Sequence, residues 1–221
     1  MSRSDDDRDC VNIVVLISGN GSNLQAIIDD AAAQDCPYKV CAVVCNSPIA
    51  YGLKRANNSG ITTRIIDHRD YPTRRQFDQA LMSTIDQFAP ALIALAGFMR
   101  IVGPEFIEHY EGRIMNIHPS LLPQFPGLNT HERALADGAR EHGATVHFVT
   151  TELDAGPVVI QSSVPVLQDD TPETLAARVL EQEHRIYPRA IRWYAEGRLS
   201  LHRGKVLVDG AINGAHPVTT S

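Results

Sequence analysis

Asn116 and His118 stand two residues apart at the end of an apolar run, Arg113-Ile114-Met115-Asn116-Ile117-His118-Pro119. In a β-strand, residues i and i+2 share a face, so the amide and the imidazole project together while Ile117 turns to the opposite side. An amide donor beside a proton carrier can stabilise a developing oxyanion and move a proton. Pro119 offers no N–H to a ladder and biases His118 toward extended backbone, so the strand should stop there. Both side chains are then left at the carboxyl edge of a sheet, where open α/β folds bind their ligands. A histidine alone is more often structural; the shared face and the strand end set this one apart.

Asp154, in Leu153-Asp154-Ala155-Gly156-Pro157, reads either as a turn former or as a third member of the group, whose carboxylate would favour a charged imidazole. No Gly-x-Ser-x-Gly elbow occurs, and Cys10, Cys36, Cys41 and Cys45 have neither an activating context nor metal-ligand spacing. Cys41 and Cys45 fit an apolar strand as small hydrophobes. His131 could join His118 on a metal, but no His-Glu-x-x-His or paired Cys/His spacing supports a metal site. His147 reads as core, and His68, His109, His142, His202 and His216 have no comparable setting. Without a protein nucleophile, the attacking atom must come from a substrate, which points to direct transfer between two bound molecules.

A second feature is the glycine loop Ser18-Gly19-Asn20-Gly21-Ser22-Asn23, between an apolar run and a helical stretch. Its backbone N–H groups and the helix N-terminus can converge on a phosphate, with Ser22 and Asn23 as added donors. It is not a dinucleotide fingerprint, because Leu24 stands three after Gly21 and no acid ends the second strand at Cys45-Asn46; nor does Gly-Lys-Ser/Thr follow as in a P-loop. A tight turn with an Asn/Ser helix cap is the plainer alternative.

The elements that position these groups alternate. Strands are predicted at 12–18, 39–45, 62–66, 91–96 and 113–118, with helices at 23–33, 51–58 and 74–88 between them. That rhythm predicts an α/β fold: a mostly parallel twisted sheet of about seven strands with helices on both faces and a Rossmann-like N-terminal half. After His118 come a Pro/Gly-rich loop, a helix at 130–137, strands at 144–150 and 157–165, and a helix from Thr171-Pro172-Glu173 to about Glu196, kinked at Pro188. Residues 11–208 read as a single domain, with a first half to about 110 and a second half after it. The segments 1–10 and 209–221 read as loose tails.

The 221 residues are 43% hydrophobic and 21% charged with a formal net charge of −6, and the longest basic run is Arg74-Arg75, which argues against nucleic acid as a partner. No apolar stretch reaches the ~18 residues of a membrane span, and the charged N-terminus has no signal-peptide core. The chain therefore reads as a reduced, cytoplasmic protein acting on small molecules, as a monomer or a homodimer.

Taken together, Ile17-Ser18-Gly19-Asn20-Gly21-Ser22-Asn23-Leu24, Leu95-Ala96-Gly97-Phe98-Met99-Arg100, Asn116-Ile117-His118-Pro119-Ser120-Leu121-Leu122-Pro123, and His147-Phe148-Val149-Thr150 with Leu153-Asp154-Ala155-Gly156-Pro157 resemble the folate-dependent glycinamide ribonucleotide formyltransferases of purine (IMP) synthesis. The resemblance implies 10-formyltetrahydrofolate as co-substrate, no metal, and phosphoribosylglycinamide as acceptor. It also implies roles for residues: Asn116, His118 and Asp154 as the catalytic trio, Gly21, Ser22, Asn23 and Glu183 on the ribonucleotide, and Arg74, Met99, Arg100, Ile101, Val102, Asn116, Thr150, Thr151, Glu152, Leu153 and Asp154 on the folate. A lid near 119–130 that closes over the folate is implied too. The Pro-Ser after His118 separates this family from the related tRNA formyltransferases and formyltetrahydrofolate deformylases. A deformylase, or a non-catalytic nucleotide-binding module, is the competing reading.

Overall fold

The computed structural model describes residues 10–212. The chain begins with β1 (Val11–Ile17), α1 (Ser22–Ala31), β2 (Tyr38–Cys45), α2 (Tyr51–Asn58) and β3 (Thr62–Ile65), followed by α3 (Arg74–Asp86) and β4 (Leu92–Leu95). Then come α4 (Pro104–His109), β5 (Ile114–His118), α5 (Thr130–Ala136), β6 (Glu141–Phe148), β7 (Val158–Pro165) and α6 (Pro172–Ala195). Seven strands form one sheet in the order β3-β2-β1-β4-β5-β6-β7, parallel from β3 through β5 and antiparallel at β6 and β7. The expected α/β architecture is therefore present.

The pleat of β1 divides the core. Ile13, Val15 and Ile17 face α1, α2 and α6, packing with Leu24, Ile27, Val179 and Tyr187, while Val14 and Leu16 face α3 and α4, packing with Phe77, Leu81, Ile85 and Phe106. A strand buried on both sides needs no polar alternation, which is why its sequence reads as one apolar run. β1 lies inside the sheet, and the chain crosses to opposite sides of it, placing a crevice at the carboxyl ends of β1 and β4. The loops after these two strands meet there, with Met99 N donating to Ser18 Oγ at 2.8 Å.

Helix α6 starts where its sequence says it should. Thr171 caps it, Thr174 and Thr171 exchange side-chain-to-backbone bonds in a capping box, and Pro172 takes the first turn. Helix α4 was not among the predicted elements; at six residues, opened by Gly103-Pro104, it is too short to show a period. A small antiparallel sheet, β8 (Leu199–His202), β9 (Lys205–Val208) and β10 (Ala211–Ile212), closes the described chain. Residues 209–212 thus correct part of the expected loose tail, since Ala211 and Ile212 pair with β9; the rest of that segment and residues 1–9 lie outside the described residues.

Candidate active site

β5 ends as its sequence predicts, with His118 its last residue. Met115 and Ile117 join the α1/α6 side of the core, and Ile114 joins the other, so Asn116 and His118 share Ile114's face. The antiparallel pairing with β6 sets His147 opposite Asn116 and Thr145 opposite His118. Cross-strand partners on one face touch, and Asn116 Nδ2 lies 3.2 Å from His147 Nε2. The other ring nitrogen, Nδ1, lies 2.9 Å from the carbonyl of Phe148. A carbonyl only accepts, so Nδ1 carries the proton and Nε2 accepts from the amide. Burial pushes the His147 pKa down, which favours that neutral form.

Asp154 arrives from the loop between β6 and β7 with a left-handed backbone, φ 52. Its Oδ2 lies 3.5 Å from His118 Nδ1, and its Oδ1 lies 3.8 Å from His147 Nε2. Both separations exceed a good hydrogen bond, so the carboxylate faces both rings without a direct hydrogen bond to either. Gly156 brings this loop close: a Cβ there would fall 1.8 Å from the carbonyl oxygen of Phe148, so only glycine permits the approach. The structure therefore brings Asn116, His118 and Asp154 together and adds His147, which was read as core. Its role depends on the β5–β6 register, and periodicity within β6 carries no signal for that.

The segment 119–130 is bonded to the same group. Phe125 O accepts from His118 Nε2 at 3.0 Å, and Gly127 N donates to Asp154 Oδ2 at 2.8 Å. Its base is held to β6 and β7: Thr145 Oγ1 donates to Ser120 O and accepts from Leu122 N, and Gln161 Nε2 donates to Leu122 O. Behind His118 sit His131 and His142, edge to face with ring centres 5.1 Å apart, and the Phe125 ring packs on His142. Burial, with His131 and His118 nearby, pushes His142 down to about 4. Among the described residues no three His, Cys, Asp or Glu side chains are grouped to hold a metal ion.

At the other end of the crevice, Gly21 (φ 73) precedes α1, and no side chain caps the helix. The Asn/Ser cap considered as an alternative is absent: Asn23 instead donates through Nδ2 to Glu183 Oε2 on α6 at 2.6 Å. Both residues are buried, and burial raises the Glu183 pKa. The backbone donors of the first turn of α1 thus face the loop without a side-chain acceptor.

Most residues matched to folate occupy the loops after β4 and β6, with Arg74 at the start of α3 and Asn116 in β5. Met99, Ile101 and Leu153 are large apolar side chains left exposed, whereas Val102 is buried in the α3/α4 core and can offer only backbone. Thr150 Oγ1 donates to Glu152 O, and Thr151 and Glu152 are exposed. Arg100 lies over the Phe77 ring, 5.9 Å from its centre, and Arg74 opens α3. Burial raises the pKa of Asp78, and the Gly103 N–H and the nearby Arg74 and Arg100 act against it. Asp78, unremarked in the sequence, accepts from Gly103 N at 2.8 Å and so fixes the end of the 97–103 loop. No helix among the described residues is long and apolar enough to cross a membrane.

Known proteins resemble this chain along most of its length. The phosphoribosylglycinamide formyltransferase of Escherichia coli (strain K12) is 52% identical over 200 residues, covering 90% of this chain and 94% of that protein. The Haemophilus influenzae enzyme of the same name is 44% identical over 198 residues, 90% of this chain and 93% of that one. The solved structure of the Coxiella burnetii phosphoribosylglycinamide formyltransferase superposes with a TM-score of 0.89 at 51% identity, covering 95% of this chain and 99% of that chain. With the formyl transferase family model matching residues 11–191, nearly the whole described sheet and helix layers, the chain belongs to the formyl transferase family.

Proposed function

We propose that this chain transfers the formyl group of 10-formyltetrahydrofolate to the amine of phosphoribosylglycinamide, a step of purine synthesis, with Asn116, His118 and Asp154 as the catalytic residues. The observation that carries the reading is the convergence of these three side chains at one strand end, where among the described residues no serine, threonine or cysteine side chain is bonded to His118 or Asp154. The substrate amine forms the new bond to the formyl carbon, and the carbonyl electrons move onto oxygen. Asn116 has two amide hydrogens; His147 takes one, leaving the second for that oxygen. His118 donates through Nε2 to Phe125 O and faces Asp154 through Nδ1, so the ring satisfies both neighbours when it carries both protons. That charged ring supports the oxyanion, and Asp154 stabilises the charge. Collapse of the oxyanion breaks the bond from the formyl carbon to the folate nitrogen, which takes a proton, while the attacking amine loses one.

Gly21, Ser22 and Asn23 would hold the ribonucleotide phosphate on the uncapped start of α1, with Glu183 toward its glycinamide end. The exposed Met99, Ile101 and Leu153 offer apolar surface for a flat heterocycle, and Arg74 and Arg100 offer charge for the carboxylates of a folate. The segment 119–130, bonded to both His118 and Asp154, would close the site against water.

The test is loss of the formyl group from 10-formyltetrahydrofolate with and without phosphoribosylglycinamide. Loss only with the amine is the expected result. Loss without it would mean hydrolysis, and no loss in either arm would leave a binding module.

A further inference from the structure

The first turn of α2 is packed against the glycine loop backbone to backbone. Gly52 N donates to Gly19 O at 3.0 Å, and a Cβ on Gly21 would fall 2.8 Å from Gly52 Cα. One turn further, Arg55 reaches the same loop with two donors and α1 with a third. Its Nε donates to Asn20 O at 3.0 Å, Nη2 to Asn20 Oδ1 at 2.9 Å, and Nη1 to Gln25 Oε1 at 3.3 Å. The guanidinium lies over the Tyr51 ring, 4.9 Å from its centre. Among the described residues, no carboxylate pairs with it within 4.0 Å; its donors go to the loop and to α1.

A trans peptide points its C=O and its N–H in opposite directions. When Gly52 holds the Gly19 carbonyl, the Asn20 N–H is turned away from α2; when Arg55 holds the Asn20 carbonyl, the Gly21 N–H is turned away too. Two successive peptide planes are thereby fixed with their donors on the side opposite α2, running into the uncapped N–H groups of α1. We propose that Arg55 is a positioning residue for the ribonucleotide phosphate: it binds no phosphate itself but aims the backbone donors that do. This rests on the reading of the glycine loop as the phosphate site.

The test compares Arg55→Ala, Arg55→Lys and Arg189→Ala with the parent enzyme, measuring KM for each substrate, kcat, and ribonucleotide affinity by calorimetry. Arg189 lines the same groove between α1, α2 and α6 without donating to the loop, so it controls for charge alone. Arg55→Ala should raise KM and Kd for the ribonucleotide about tenfold or more, leaving the KM for the folate within about twofold. Arg55→Lys, with the charge but not the fork, should recover only part of the loss. Arg189→Ala should match the parent. Full recovery by lysine, an equal effect of Arg189→Ala, or an unchanged ribonucleotide Kd in Arg55→Ala would each overturn the proposal. Melting curves of the lysine variant guard against misfolding as the cause. A parent enzyme without amine-dependent formyl loss would sink the formyl-transfer reading instead, and the calorimetric arm would still decide the role of Arg55.

Discussion

The two ends of the crevice solve the same positioning problem by different means. After β1, the working groups are backbone N–H donors, aimed by the close packing of Gly21 on Gly52 and by bonds from α2. After β5, they are side chains, aimed by other side chains: His147 on Asn116, Asp154 against His118, and the 119–130 segment against both. A backbone cradle is sensitive to volume and torsion, and its N–H donors do not themselves titrate. A side-chain cluster in a buried site is sensitive to protonation and to single atoms. Substitutions that separate these behaviours test the contrast, and the largest effects belong to the second end.

His118→Ala and Asp154→Asn should each lower kcat about 10³-fold while ribonucleotide affinity changes little, because the first removes the proton-bearing ring and the second its counter-charge. Turnover close to the parent in either variant would remove that residue from the trio. A steric break in the same region should cost nearly as much. Gly156→Ala places a Cβ 1.8 Å from Phe148 O, so the loop must move and carry Asp154 with it. A fall in kcat of about 10²-fold, with the ribonucleotide Kd unchanged by calorimetry, is expected. If the ribonucleotide Kd rises in step, the two ends are not independent.

How much of this was legible in the sequence follows from the same contrast. The glycine loop and the Asn-x-His strand end are local: turn chemistry and a two-residue period place their groups without knowledge of distant chain. The alternation of elements was enough for the sheet class, because a parallel strand buried on both faces reads as an apolar run. His147 and Asp78 were hidden, since one acts through a cross-strand register and the other through a helix packed on a loop 25 residues away in the chain. Arg55 was hidden for the same reason; it lies 35 residues from the loop it holds. Between the two readings of the glycine loop, the sequence could not choose: the N-cap position falls on Gly21, which has no side chain, and Asn23, inside the first turn, is bonded to Glu183.

Protonation offers the next break. The folded His142 ring resists protonation until about pH 4, against 6.5 for the free side chain, so the unfolded state binds more protons between those values. Its contribution is therefore complete above about pH 6.5 and is lost as pH falls toward 4, on the order of 3 kcal/mol over that window. His142→Phe should flatten the dependence of unfolding free energy on pH across this range; an unchanged slope would acquit His142. Glu183, at the glycine end, has the opposite sign: burial raises its pKa, so its cost to stability appears as pH rises above the ordinary carboxylate range.

The smallest effect should come from His147, and it separates positioning from chemistry. The ring does no proton transfer in the proposed reaction; its Nε2 only holds the Asn116 amide so that one hydrogen points at the oxyanion. Removing the acceptor frees the amide to rotate, and a misdirected donor costs less than an absent one. His147→Phe should lower kcat about tenfold with both KM values near the parent's. His147→Gln, which restores a carbonyl acceptor at comparable reach, should recover part of the loss. Asn116→Ala already lacks the amide, so adding His147→Phe to it should change kcat little further; independent, additive losses would show that the ring acts on the reaction by another route than Asn116.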